Sequence, residues 1–423
     1  MKNKLILDSK YITDILGKDY KELASIFSDK FGIINAMLKR EELSKYGLFM
    51  YQCLSANAVD LFDLSREVSS GGLGVNEDEK KAMISCIAEA IERYCMSFIP
   101  KKDIIVSFKK DLEKNHTFNN FYLYTNEQYK NNKQFVNPNI EKIHWTKINS
   151  IDGYSWKYWP ASLIYLPFDI TKPVAETTST GMAAGLDIND CIQSGVLELI
   201  ERDALMINFM QRLNPPEIDL ASIKGKNKKF IECIKKDYNI KVYKLYTDLD
   251  VPSYFSIIWT KKFNRIHYGI GACSSLDSDI AINKSLKECL FTYFYSKNIM
   301  DLRKTNPKEI TTLYEHFLYY QGDNFKYLLF DSKVIKYKKE RIKYKDLISN
   351  IKSKKMEIYY KELTTGDVKN TKIKVVKVII PGLIDLNKSH IYPRLGAERF
   401  WNVPKSLYLD YNDKLFERPH PFP

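Results

Sequence analysis

Two short segments carry carboxylates that ordinary surface polarity does not explain. SCIAEAIERY (Ser85 to Tyr94) sets Glu89 and Glu92 three residues apart with Arg93 attached, and VLELIERDAL (Val196 to Leu205) repeats the grammar as Glu198, Glu201 and Arg202. On an α-helix Ser85, Glu89 and Glu92 share a wedge of about 60°. Met83, Ile84, Ile87, Ile91, Tyr94 and Cys95 cover most of the other side. In the second segment Asp190, Glu198, Glu201 and Arg202 oppose Ile192, Val196, Leu199 and Ile200. A third helix offers Lys284 and Glu288 at i, i+4 beside Ile280, Leu286 and Leu290.

A polar stripe on a largely apolar helix is costly, because a buried carboxylate loses several kcal/mol of hydration unless it is paired. Pairing inside each helix is one reading, since Glu89 with Arg93 and Glu198 with Arg202 have the i, i+4 spacing. It leaves Glu92, Glu201 and Glu288 without a partner. A hard cation among glutamates from three helices is the other reading, and Mg²⁺ carrying a polyphosphate suits oxygen ligands best. No G-x-x-x-x-G-K-[ST] or G-x-G-x-x-G occurs. GMAAG (Gly181 to Gly185) precedes a helix start, where small residues admit an anion to backbone amides or simply make a turn.

These helices need a scaffold, and 423 residues suffice for a sizeable core. An apolar fraction of 44% with 13% aromatics excludes a disordered chain. No apolar run reaches membrane-spanning length and no signal-peptide core follows the first residues, which predicts a soluble cytoplasmic protein without a membrane partner. The net charge of +13 resides mostly in Lys runs such as KGKNKKF and KYKKERIKYK, which read as solvated surface rather than a nucleic-acid face. Seven cysteines without C-x-x-C are expected as buried free thiols, and the six scattered histidines suggest no zinc site.

Residues 1 to 59 read as a helical amino-terminal segment, with helices near Tyr20 to Phe27 and Ile34 to Leu43. A run from Leu61 ends in the glycine turn SSGGLG, and a helix from Glu77 to Phe98 follows, capped by Asn76. WPASLIYLPF is strand-like. Further helices are expected over Asn189 to Leu213 and Asp279 to Asn298. VPSYFSIIWT and HYGIGACSS alternate like hairpin strands, and IKVVKVIIPGL is a strand. The mixture predicts an α+β or mixed α/β architecture, and the repeated E-x-x-E-R helices hint at two related halves.

Taken in order, the glycine turn, S-x-x-x-E-x-x-E-R, T-S-x-G-x-A-A-G, E-x-x-E-R-D, a late glutamate helix and the closing PHPFP resemble a YcaO-domain protein over residues 60 to 423. The terminus is similar to that of azoline-forming cyclodehydratases of thiazole/oxazole-modified peptide pathways. The resemblance implies a YcaO-type fold enclosing ATP and Mg²⁺. Glu89, Glu92, Glu198, Glu201 and Glu288 would hold metal, Ser85, Asp190, Arg202 and Lys284 the nucleotide, and Pro419, Pro421 and Pro423 would order the active site. It implies cyclodehydration of Cys, Ser or Thr in a ribosomal precursor peptide. It also implies a homodimer, a separate E1-like or leader-binding partner protein and a flavin-dependent azoline dehydrogenase acting later. A thioamide- or amidine-forming enzyme and a non-catalytic scaffold are the alternatives.

Overall fold

Helix and strand ends follow local chemistry. In the computed structural model, which describes residues 4–6, 9–30, 32–56, 71–118, 123–262, 265–296 and 306–423, Asp78 caps the first carboxylate helix by accepting from the Lys81 amide at 2.9 Å. The Asn76 carboxamide, expected as the cap, instead accepts from the Asp78 amide at 3.0 Å, and the helix starts two residues later than expected. The helix runs Glu79–Ser97 and ends where Phe98 turns extended ahead of Pro100. Asp187 caps the second carboxylate helix through the Asn189 and Asp190 amides at 2.8 and 3.1 Å.

Numbered along the chain, the elements begin with β1 (Lys4–Ile6), α1 (Ser9–Leu16), α2 (Lys21–Ala24), β2 (Ile34–Arg40), β3 (Phe49–Ser55), β4 (Gly72–Asn76) and α3 (Glu79–Ser97). Then come β5 (Ile104–Phe108), α4 (Asn126–Asn131), β6 (Lys142–Ser150), β7 (Trp156–Pro160), β8 (Met182–Gly185) and α5 (Ile188–Met210). After β9 (Glu217–Asp219) and α6 (Gly225–Lys235) follow β10 (Asn239–Lys244), β11 (Ser253–Lys262), β12 (Arg265–Ser274) and α7 (Ser278–Ser296). The chain closes with α8 (Leu313–Tyr319), β13 (Val334–Lys336), α9 (Tyr344–Ser353), β14 (Tyr359–Glu362), β15 (Lys374–Ile379) and α10 (Arg399–Ser406).

The mixed architecture agrees with expectation; several local readings do not. Ile34 to Leu43 is not helical: β2 pairs antiparallel with β3, because β-branched and long apolar residues there have a sheet neighbour to pack on. From Gly72 onward the glycine stretch is strand β4 rather than a turn. Leu61 to Ser70, and with them the boundary expected near residue 60, lie outside the described residues. GMAAG is not a helix-start loop either: Met182 to Gly185 form β8, paired with β15. WPASLIYLPF stays extended only to Pro160 before a short 3₁₀ turn. Cys53 and Cys86, expected as separate thiols, are paired across β3 and α3 with Cα atoms 6.1 Å apart. Five cysteines remain free. The hairpin of β11 and β12 and the strand β15 stand where the alternation put them.

Contacts divide the chain into two units: residues 1–121, 126–196 and 358–379, and residues 122–125, 197–357 and 380–423. The first holds a sheet of order β1-β2-β3-β4 and another of order β5-β6-β14-β15-β8, with β7 paired to β6. The second holds a sheet of order β12-β11-β10-β9-β13. Its core includes Phe209, Phe255, Tyr268, Phe317, Tyr320 and Phe400.

One device occurs in both units. An edge strand carries G-x-G and a helix backbone lies directly on it. A Cβ on Gly72 or Gly74 would stand 2.1 Å from the Cys86 carbonyl oxygen or 1.8 Å from that of Ala82, on α3. On Gly269 or Gly271 it would stand 2.0 Å from the Cys289 oxygen or 2.1 Å from that of Ser285, on α7. The related pair is therefore β4–α3 and β12–α7, whereas the sequence repeat had matched α3 with α5. Gly74→Ala should lower the free energy of unfolding by at least about 2 kcal/mol, because backbone must move. Gly366→Ala, with nothing within 4 Å of its Cβ, should shift it by less than about 0.5 kcal/mol; denaturant midpoints of the two variants check this.

Candidate functional site

Edge strands leave every second N–H without a ladder partner, and such groups must be satisfied if they are covered. In the first unit the Leu73 amide of β4 donates to Glu89 Oε2 at 2.9 Å, while Glu89 Oε1 takes Arg93 Nη2 at 2.6 Å. The intrahelical pair expected from spacing is present, and the glutamate spans strand and helix. Ser85 is exposed on the same face, and Glu92 is half-buried. Burial first, then the charges of Asp187, Asp190 and Glu92, push the Cys191 thiol up to about 11. Glu92 on α3 and the exposed Asp190 at the head of α5 thus act on one neighbourhood. Below it, the buried Lys377 donates to the Thr178 and Thr180 carbonyls at 3.0 and 2.7 Å and holds the T-S-T-G segment.

The second unit does the same with more charge. Along β12 the Ile270 amide donates to Thr292 Oγ1, the Ala272 amide to Glu288 Oε2, both at 2.9 Å, and the Ser274 amide to Glu201 Oε2 at 3.3 Å. Glu198 Oε1 lies 3.5 Å from Arg202 Nη2, and Glu201 Oε1 lies 3.3 Å from Arg202 Nη1. Burial raises the Glu201 carboxyl, and Glu288 and Glu198 add to the rise against the pull of Arg202. Burial likewise raises Glu288, with Glu198 adding to it. Lys284 is exposed, and its charge is felt by the buried Cys273 thiol together with those of Glu201, Glu288 and Arg202. Three carboxylates and one guanidinium leave an excess of negative charge.

The tail reaches this arginine. The Phe422 ring lies 4.2 Å from the Arg202 guanidinium carbon. Pro419, His420, Pro421 and Phe422 are buried, and Pro423 is half-buried. Tyr320 donates its hydroxyl proton to the Pro419 carbonyl. His316 Nδ1 donates to the His420 carbonyl at 3.0 Å, and His420 Nε2 donates to the Asn387 carbonyl at 2.9 Å. The two imidazoles stack at 4.0 Å. The tail is therefore part of the core of its unit.

Sequence reasoning missed Phe422, His316 and a buried ion triad. Arg399 Nε and Nη2 donate to Asp203 at 2.9 and 2.6 Å, Arg399 Nη2 also donates to Asp248 at 2.8 Å, and Asp203 accepts the Ile384 amide at 2.9 Å. The D of E-x-x-E-R-D was the signal that could have found it. Asp203 fixes α5 one residue after Arg202.

Among the described residues no group of three or more His, Cys, Asp or Glu is arranged to hold a metal ion by itself. Mg²⁺ does not require one, since it is commonly held by one or two carboxylates with water and phosphate oxygens completing the octahedron. The donor set fits such use: hard carboxylate oxygens whose protonation is favoured by burial first and like charge second, beside Arg202 Nε and Nη1, which are buried without a hydrogen-bond acceptor.

A sequence profile for the YcaO cyclodehydratase family, described as ATP- and Mg²⁺-binding, matches residues 73–384. The chain belongs to the YcaO family. Its fold is that of solved heterocyclases. A heterocyclase in complex with substrate and cofactor aligns with a TM-score of 0.74 at 20% identity over 98% of this chain and 57% of that one. The E. coli microcin synthetase McbBCD complex gives 0.61 at 14% over 92% and 96%, and the YcaO protein of Methanopyrus kandleri bound with AMPPCP and Mg²⁺ gives 0.58 at 13% over 83% and 86%. The chain spans little more than half the length of the first of these. Comparison with curated sequences gives no match. No described helix is long and apolar enough to cross a membrane.

The tail's histidines give a pH prediction. Burial lowers His420 to about 4 and His316 well below its ordinary value. The unfolded chain takes up these protons near pH 6.5, and the folded chain does not. Their contribution to stability is therefore complete above about pH 6.5 and lost as pH falls toward 4. A His420→Gln variant should show a shallower fall of the urea midpoint between pH 7 and pH 5 than the parent.

Proposed function

We propose that the chain is the ATP-dependent cyclodehydratase component of a peptide-modifying system, converting Cys, Ser or Thr of a ribosomal precursor to thiazoline or oxazoline. The observation that carries this is the acid cluster Glu198, Glu201 and Glu288 about Arg202, with Glu201 buried, an arrangement short of positive charge inside a YcaO fold. Glu201, Glu288 and Glu198 are assigned to metal, as are Glu89 and Glu92 of the first unit. Arg202 is assigned to phosphate oxygens, with Ser85, Asp190 and Lys284 as further nucleotide-binding residues. Bound Mg²⁺-ATP supplies a phosphoryl group and the cation that offsets the acids.

The chemistry balances. The side-chain nucleophile adds to the preceding amide carbon and loses its proton. The former carbonyl oxygen takes the γ-phosphoryl group and leaves as phosphate as the amide nitrogen loses its proton and the ring C=N forms. The products are azoline, ADP and phosphate. An amide oxygen alone is a poor leaving group, which is why phosphorylation is needed. Arg202 fits the charge that develops on the phosphoryl oxygens, and Phe422 limits where its guanidinium can point. Pro419, Pro421 and Pro423 act as positioning residues by stiffening the segment that presents Phe422. The peptide is delivered by a separate E1-like or leader-binding protein, the enzyme works as a homodimer, and a flavin-dependent dehydrogenase oxidises the product to azole.

The deciding experiment mixes the chain with Mg²⁺-ATP, precursor peptide and delivery protein. Phosphate release matched by loss of one water per ring from the peptide supports the reading; absence of both, with the protein folded, overturns it. Glu201→Gln and Glu89→Gln should each cut turnover at least about a hundredfold. Because burial and like charge raise Glu201, its charge costs stability as pH rises above the unfolded value near 4.5. Nucleotide-free Glu201→Gln should therefore unfold no earlier than the parent at pH 8, a thermal-melt result that separates lost chemistry from lost fold.

A further inference from the structure

Beside the root of the tail, the second unit has an open groove of about 830 Å³, lined among others by Arg212, Tyr319, Tyr327, Lys414, Phe416 and Arg418. Arg212 is committed to the fold: Nη1 and Nη2 donate to the Tyr327 and Leu329 carbonyls at 2.8 and 2.9 Å. Arg418 is held differently. Its guanidinium carbon sits 3.6 Å from the Tyr327 ring centre, and Nη1 alone is engaged, donating to Tyr319 Oη at 2.5 Å and to Asn324 Oδ1 at 3.4 Å. The plane is fixed against an aromatic face, and the Nε–Nη2 edge has no acceptor among the described residues. Asp413 and Glu417 also line the groove, yet neither pairs with Arg418 among the described residues.

We infer that this groove binds a short acidic segment of the peptide substrate, an Asp or Glu carboxylate lying on the Nε–Nη2 edge of Arg418 with a neighbouring aromatic side chain against the half-buried Phe416. A pre-stacked guanidinium presents two parallel donors in the geometry a carboxylate accepts. The cavity is of ligand-pocket size, within the range of about 300–1,000 Å³. A phosphate dianion is disfavoured by the two acids at the rim, whereas a single negative charge is balanced by Arg418 and Lys414. The groove also meets the tail: Tyr319 holds Arg418, and the adjoining Tyr320 holds Pro419. A peptide seated here lies at the foot of the segment that places Phe422 on Arg202. The assignment to the peptide substrate rests on the function proposed above; the carboxylate fork does not.

The test is fluorescence anisotropy on the full chain without nucleotide, using fluorescein-labelled Gly-Asp-Phe-Asp-Gly and its counterpart Gly-Asn-Phe-Asn-Gly. The acidic probe should bind about tenfold more tightly, with the preference lost in Arg418→Gln and reduced two- to threefold in Lys414→Gln. Arg418→Lys, which keeps the charge but not the fork, should lose most of the preference and decides the matter if Arg418→Gln fails to fold. Equal affinities for the two probes, no binding at millimolar chain, or a preference unchanged in the Arg418 variants overturns the inference. A preserved preference in a chain that never consumes ATP would sink the proposed function and leave the groove standing. Turnover without any preference would do the reverse.

Discussion

A guanidinium among three glutamates, Glu201 buried and Glu198 and Glu288 half-buried, governs the second unit. At 3.3 Å from Glu201, Arg202 gains about 5 kcal/mol from one carboxylate at an effective dielectric near 20. The same arithmetic works against Glu201 and Glu288, whose charges raise one another's protonation. Folding alone has no reason to gather these acids; apolar side chains of similar size would pack there without the penalty. What holds them in place is the edge of β12. Its Ala272 and Ser274 amides must be satisfied, and Glu288 and Glu201 accept from them. Glu288 and Glu201 are each anchored through one oxygen by a strand amide, so these two acids cannot swing apart to relieve their repulsion.

The G-x-G strands make that anchoring possible. Side chains at Gly269 and Gly271 would push α7 off β12, and with it Glu288 out of reach of the Ala272 amide. In the first unit Gly72 and Gly74 bring α3 equally close to β4, and Glu89 accepts from Leu73. The two arrangements differ in charge. Glu89 pairs with Arg93 at 2.6 Å, whereas Arg202 is divided between Glu198 and Glu201 at longer range. The helix residue that meets the amide between the glycines in the second unit is Thr292, a neutral group. Charge in that unit is therefore concentrated two and four residues further along the strand, at Ala272 and Ser274, beside Arg202.

Much of this was legible in the sequence because it rests on local rules. The wedge of Ser85, Glu89 and Glu92, the i, i+4 pairs and the β11–β12 hairpin follow from helical and strand periodicity, and the structure has them. The misreadings have a common cause. Ile34 to Arg40 and Gly72 to Asn76 take their conformation from neighbours distant in sequence, β3 above all, and neither composition nor spacing carries that information. The same holds for Cys53 opposite Cys86 and for Asp203, whose partner Arg399 is 196 residues further along the chain and is shared with Asp248. The glycines were read as a turn because glycine more often serves φ than close packing. Here Gly72 and Gly74 serve the approach of a helix backbone.

The tail shows how far a local reading can carry before packing takes over. Three alternating prolines suggest a stiff end, but stiffness does not say what the segment is for. The residues between the prolines do. His420 is enclosed with its ring on His316 and its nitrogen on the Asn387 carbonyl, and Phe422 presents a ring to Arg202. Proline restricts the backbone so that these two side chains reach fixed positions at low entropic cost. An aromatic face over a guanidinium favours its charge without using any of its N–H donors. Arg202 can thus be held in orientation while Nε and Nη1 keep their hydrogen-bonding capacity. A carboxylate in the place of Phe422 would hold the arginine more tightly and would occupy donors that the aromatic face leaves open.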